Sequence, residues 1–146
     1  DNRMDSVDLL DVVKTIETYI EKLKPELVVT HHSGDLNIDH QIIHQAVMTA
    51  CRPQPGYSVK RILSFEVSSS TEWQSPMDNN PFVPNLFENI SETLKLKIKA
   101  LEAYDSEMRE WPHARSSKAV EHLARWRGAS VGVEAAETFM LLREIR

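Results

Sequence analysis

Apolar residues at Leu9, Val12, Val13, Ile16, Ile20 and Leu23 recur at steps of three and four, the spacing that lines one face of a helix. Asp5 or Ser6 is placed to cap it. Asp8 and Asp11 near its start and Lys22 and Lys24 near its end suit the helix dipole, and Pro25 follows the stop. Residues 27–30 form a short β-branched run without strict alternation, which predicts a strand covered on both faces. A polar loop over 31–39, with Gly34 as its flexible point, leads to a second helix carrying Ile43, Val47 and Ala50 on one side. Arg52-Pro-Gln-Pro-Gly56 ends that helix. Residues 60–70, KRILSFEVSSS, alternate well enough for another strand. Residues 71–85 hold three prolines and two adjacent asparagines, a long irregular loop of the kind that serves as a lid or binding loop. Residues 86–90 predict a short strand. Ser91 is placed to cap a helix running to about Met108, with Leu94, Ile98, Leu101 and Tyr104 on its apolar face. WPHARS breaks the pattern, 117–126 predict a helix, and 135–145 close the chain as a short helix, a strand, or one after the other.

Strands alternating with helices imply a layered α/β fold with a mostly parallel sheet. Three or four strands make a small sheet for that class, and the chain opens on a loop and helix. Both features fit the loss of an N-terminal strand and helix. The 146 residues suit a single domain over 1–146, and 41% hydrophobic residues suffice for a core. A formal net charge of −5 and the lack of any Lys or Arg run argue against nucleic acid as a partner. No apolar stretch approaches the roughly 18 residues of a membrane span. The single Cys51 excludes an internal disulfide; its apolar helical setting points to a buried thiol in a reducing, cytoplasmic setting.

The chemistry concentrates in residues 30–44, THHSGDLNIDHQIIH. Four of the six histidines fall here, with Asp35 and Asp39 between them. The cluster leaves a strand and enters a helix, which is where open α/β sheets bind ligands. His40 at the helix start can turn its ring into the mouth of the sheet, and His44 shares its helix face. Neutral imidazole is a good zinc ligand, and a three-ligand zinc lowers the pKa of its water to about 7. Histidines that merely cap the strand and helix are the alternative.

PELVVTHHSGDLNIDHQIIHQAV resembles the second signature of the LmbE-like (PIG-L) N-deacetylases. PHARS followed by HLARWRG resembles the family's basic C-terminal stretch, GASVGVEAAETFMLLREI its closing motif, and DNRMDS the loop before the corresponding helix. The resemblance implies a Rossmann-like three-layer sandwich and a zinc hydrolase that removes acetyl groups from N-acetylglucosamine-type sugars or related small amides. It implies that His40 ligates zinc or another divalent metal. Asp39 is implied as its neighbour, tuning an imidazole or holding the loop. Asn37 stands where many relatives carry a histidine that polarises the substrate carbonyl; an amide donates a hydrogen bond but lacks that charge. Asp1 matches a sugar-contacting loop aspartate, and His31 or His32 stands ready to act on substrate in place of the missing histidine.

The family's first signature, an HPDDE-like segment, is nowhere in these 146 residues. By the resemblance it supplies two further ligands and the general base. The expectation is therefore the C-terminal two-thirds of such an enzyme, inactive by itself, with an exposed sheet edge that favours homo-oligomers. Two other readings remain: a non-catalytic sugar-binding or scaffolding module, and a self-contained metal site of His31, His32, Asp35 and His40. Glu66, facing the site or solvent, and Trp73, stacking on a sugar or plugging its loop, stay open. So do His113 and Arg115, as an anion site or a polar turn. Arg127 is expected to position the chain end.

Overall fold

The structure, a computed structural model, describes residues 3–75 and 80–146. After a 3-10 turn at Met4–Ser6, the elements are α1 (Leu9–Leu23), β1 (Leu27–His31), α2 (Ile38–Ala50), β2 (Arg61–Phe65), β3 (Leu86–Asn89), α3 (Leu94–Glu102), α4 (Ser117–Ala129) and β4 (Ala136–Glu144). The strands form one open four-stranded sheet in the order β1-β2-β4-β3. The chain divides into two compact units: residues up to 83 with Met140–Arg146, and Pro84–Phe139. No helix among the described residues is long and apolar enough to cross a membrane.

In the first unit, the three-and-four spacing of α1 buries Val12, Val13 and Ile20. They pack with Ala46, Val47 and Ala50 of α2 and with Cys51, Val59 and Ile62. Each fully buried Val or Ile contributes about 1.5–3 kcal/mol over leaving it exposed. Asp8 takes the N-cap position of α1; Asp5 and Ser6 are occupied in the separate 3-10 turn. Burial of Cys51 pushes its thiol pKa up, against the opposing charge of Arg143.

β1 and β2 pair in parallel, with Val28 opposite Ile62, Thr30 opposite Ser64 and His31 opposite Phe65. β1 is not covered on both faces: Leu27 and Val29 are 46% and 44% exposed. It stands at the end of the sheet, and helix α2 covers one of its faces while no helix among the described residues covers the other to the same extent. β2 is shorter than expected. Residues 66–70 turn because their amides find local side-chain acceptors: Val67 N–H donates to Thr71 Oγ1 (2.7 Å) and Ser69 N–H to Glu72 Oε1 (2.6 Å). Such bonds compete with a strand ladder.

The expectation of a mostly parallel sheet is corrected. β3 and β4 are antiparallel, with Phe87 opposite Thr138. Ile145 N–H donates to the Lys60 carbonyl (2.9 Å) and Arg61 pairs with Glu144, so β4 ends where β2 begins. The protein is thus a mixed α/β fold with a mostly antiparallel sheet. One helix between β1 and β2 returns the chain to the end where it started, which makes those strands parallel. Two helices, α3 and α4, separate β3 from β4 and bring the chain back at the opposite end.

In the second unit, Leu94, Ala124 and Ala135 form the core, with Ile90 and Ile98 packed against it. α3 starts after Thr93 and stops at Glu102, short of Met108, and Tyr104, expected on its apolar face, lies beyond it and is 66% exposed. Ser91 does not cap it. Its hydroxyl donates to Asn89 Oδ1 (2.6 Å) and accepts from Ala135 N–H (3.3 Å). The Ser116 hydroxyl caps α4 by accepting from Ala119 N–H (3.1 Å). Residues 136–144 form a strand, and Gly128 lets it approach: a Cβ there would stand 2.6 Å from the Ala135 backbone.

Candidate active site at the end of β1

The loop between β1 and α2 is built around Asp35, which is fully buried. Its carboxylate accepts from Asn37 N–H (2.8 Å), from Thr71 Oγ1 (2.8 Å) and from the Ser70 hydroxyl. Burial by itself would raise its pKa. The bonds from Ser70, Asn37 and Thr71, with the charge of His40, outweigh burial and hold the carboxyl below its usual range. Asp35 is therefore an anion at neutral pH. The loop's carbonyls are engaged as well: Gln41 Nε2 donates to the Asp35 carbonyl (2.5 Å).

His40, in the first turn of α2, places Nδ1 3.1 Å from Asp35 Oδ1. The two atoms are close but out of line for a hydrogen bond, and Nδ1 is buried. The contact is electrostatic. It favours the tautomer with its proton on Nδ1 and the lone pair on Nε2, as a carboxylate behind a metal-bound imidazole does. His31 stacks on His40 with ring centroids 4.0 Å apart and planes 15° from parallel, and touches Phe65 at 4.8 Å. Burial, then the neighbouring His40, lowers the pKa of His31 to about 4; Asp35 opposes this and His44 adds to it. His31 is neutral at pH 7. His44 donates from Nδ1 to the His31 carbonyl (2.8 Å), tying α2 to the end of β1.

The other residues named from the sequence hold the loop together. The Asn37 side chain caps α2 by accepting from Asp39 N–H (2.9 Å). The Asp39 carboxylate accepts from Met4 N–H (3.0 Å), so it anchors the 3-10 turn rather than an imidazole. His32 is buried; its Nε2 donates to the Asn80 carbonyl (3.0 Å) and its ring meets Phe82 edge-on at 5.4 Å. Asn80 Nδ2 in turn donates to Ser33 Oγ (2.9 Å). Gly34 is required by space: an added Cβ would run into the Asn80 carbonyl oxygen and stand 2.8 Å from His32 Nε2. Asp1 lies outside the described residues.

Glu66 is half-buried and Trp73 is largely exposed. In the second unit, His113 Nδ1 accepts from Arg115 N–H (3.0 Å), and Arg115 also pairs with Glu107, so both belong to a turn. Ser70, Thr71 and Asn80 are the residues that sequence reading missed. They reach the loop from 35 to 48 positions away, and no local signal marks them. Among the described residues no group of three or more His, Cys, Asp or Glu side chains could hold a metal ion. The arrangement around His40 fits one metal ligand, and the described donors do not complete a site by themselves.

Residues 1–51 match the family model described as PIG-L, GlcNAc-PI de-N-acetylase. The uncharacterized deacetylase YaiS of Escherichia coli (strain K12) is 31% identical over 106 residues, 68% of this chain and 50% of that protein. The chain thus spans about half the length of that curated relative. Among solved structures, the conserved protein TT1542 of Thermus thermophilus superposes with a TM-score of 0.73 at 20% identity, covering 95% of this chain and 61% of that one. The N,N′-diacetylchitobiose deacetylase of Pyrococcus horikoshii gives 0.69 at 16% identity, covering 91% and 51%. GalB, the 4-carboxy-2-hydroxymuconate hydratase of Pseudomonas putida KT2440, gives 0.69 at 17% identity, covering 93% and 60%. At such identities these structures establish the fold alone, and a hydratase among them shows that this fold hosts more than one reaction. By the family model over its first 51 residues and its likeness to the Escherichia coli deacetylase, the chain belongs to the PIG-L, or LmbE-like, family.

Proposed function

We propose that this chain forms part of a metal-dependent N-deacetylase, a hydrolase that removes acetyl from an N-acetylglucosamine-type sugar or related small amide. The observation that carries the reading is His40, set at a strand–helix junction with its Nδ1 beside the ionised, buried Asp35. His40 would be this chain's ligand to zinc or another divalent metal, through Nε2. The metal would supply an acidified water and a Lewis acid for the amide carbonyl. Asp35 would favour the His40 tautomer that leaves Nε2 free for the metal. His31, neutral at pH 7, places no positive charge against the ligand's ring. His44 and Asp39 hold α2 and the preceding turn in place.

A non-catalytic sugar-binding or scaffolding module of the same fold is the second reading. One observation favours it: the oxygen of Asn37 is committed to capping α2. The test is acetate release from N,N′-diacetylchitobiose and N-acetylglucosamine by the protein carrying these residues, supplied with zinc, against its His40→Ala variant. Release that disappears on the substitution supports the deacetylase. Release unaffected by the substitution refutes the assignment of His40. No release from any N-acetylated sugar favours the second reading.

A further inference from the structure

The second unit contains a cleft of about 590 Å³ that shares no residue with the histidine loop. Trp111 lies on it and is 51% exposed. The ring is nonetheless held. Lys118 Nζ stands 4.9 Å from its centroid, and His122 meets it edge-on at 5.5 Å. Lys118 lies over the ring, and the exposed remainder of its surface is what a ligand can meet, whereas a core tryptophan would be covered.

Asp105, Arg109, Glu110, Ser117 and Lys118 surround this ring. Arg109 is anchored to its own loop, where Nη1 donates to the carbonyls of Ser106 (2.7 Å) and Met108 (2.8 Å). Among the described residues no hydrogen bond or ion pair engages the carboxylates of Asp105 and Glu110. The cleft therefore offers acceptors that only accept, a guanidinium that only donates, and one apolar plane.

We propose that this cleft binds a neutral mono- or disaccharide, with a C–H face of the pyranose on Trp111 and its hydroxyls on Asp105, Glu110 and Arg109. A hydroxyl both donates and accepts, so one ligand satisfies both carboxylates and the guanidinium. Two acidic and two basic side chains cancel. An anion would meet two unpaired carboxylates, and an apolar ligand would strand four charges. The volume lies within the roughly 300–1,000 Å³ of small-ligand pockets. The inference does not rest on the deacetylase reading, since it uses none of that site's residues.

The test is a titration of the 146-residue chain, labelled with ¹⁵N at its three tryptophan indoles, with N,N′-diacetylchitobiose, cellobiose and N-acetylglucosamine. The Trp111 indole signal is expected to shift saturably while those of Trp73 and Trp126 stay. Glu110→Ala, an exposed substitution, should weaken binding about tenfold, one charge-assisted hydrogen bond's worth. Trp111→Phe should retain weakened binding, and His40→Ala should leave the titration unchanged. The proposal is overturned if no sugar shifts Trp111, or if Glu110→Ala and Asp105→Ala both leave the affinity unaltered. It is equally overturned if inorganic phosphate produces the same shift and displaces the sugar. Loss of the Trp111 shift in His40→Ala would also overturn it, by assigning the response to the other site.

Discussion

Asp35 and Glu110 are both carboxylates near a basic side chain in a polar loop, and the structure treats them oppositely. Asp35 is buried beneath three donors drawn from two segments of the chain. Glu110 lines an open cleft in which no partner among the described residues engages its carboxylate. The first loop has its hydrogen bonds made before any ligand arrives, so its geometry is set by the fold. The second keeps its polar capacity open and takes its shape from one fixed ring. Preorganisation suits a reacting centre, where displaced charge must be met at once. Open capacity suits reversible binding, where water is exchanged for ligand.

The sharpest way to break this contrast is Asp35→Ala. Three donors would lose their acceptor, and each buried donor left unmet costs about 1–3 kcal/mol, so a loss of about 3 kcal/mol or more is expected by urea denaturation. A loss below about 1 kcal/mol would show that the Asp35 network does not hold the loop. Next comes Gly34→Ala, which forces its new methyl into the Asn80 carbonyl. Overpacking of this kind costs about 1–3 kcal/mol. Amide exchange of the segment at 80–82 should accelerate with it, and unchanged exchange there would mean that the contact is dispensable.

A smaller effect is expected from pH. The folded-state pKa of His31 lies at about 4, below its ordinary value of 6.5. The unfolded chain then binds the proton more readily, so this stability is fully present above pH 6.5 and is lost as pH falls from there towards 4. His31→Gln should flatten the fall of the thermal midpoint within that window, as followed by circular dichroism. An equally steep fall in the variant would assign the loss to other groups. The smallest effect belongs to the cleft: Glu110→Ala should change stability by no more than about 0.5 kcal/mol, as exposed substitutions do. A larger loss in the same denaturation assay would make Glu110 structural and remove the contrast with Asp35.

Much of this is legible in the residues themselves. The spacing of Leu9 to Leu23 and of Ile43 to Ala50 predicts α1 and α2, since amphipathic periodicity reports directly which face is buried. The concentration of histidines at a strand–helix junction marks the loop that the structure shows to be densely bonded. Where local chemistry competes with periodicity, the pattern misleads. Residues 66–70 alternate like a strand, yet Thr71 and Glu72 capture their amides and turn the chain. Ser91 looks like a helix cap and instead links Asn89 to Ala135.

The sequence by itself determined the apolar faces of α1 and α2, the parallel β1–α2–β2 crossover and the family to which the motif at 25–47 belongs, because each depends on neighbours within a few turns of chain. Only the tertiary structure decided that the sheet is mostly antiparallel, since strand direction depends on how α3 and α4 return the chain. It alone placed Ser70 and Thr71 on Asp35, Asn80 on His32, and Met4 on Asp39. Hydrogen bonds between residues some 35 to 48 positions apart leave no periodicity in the sequence. They exist because a buried polar group must find a partner wherever the fold brings one within reach.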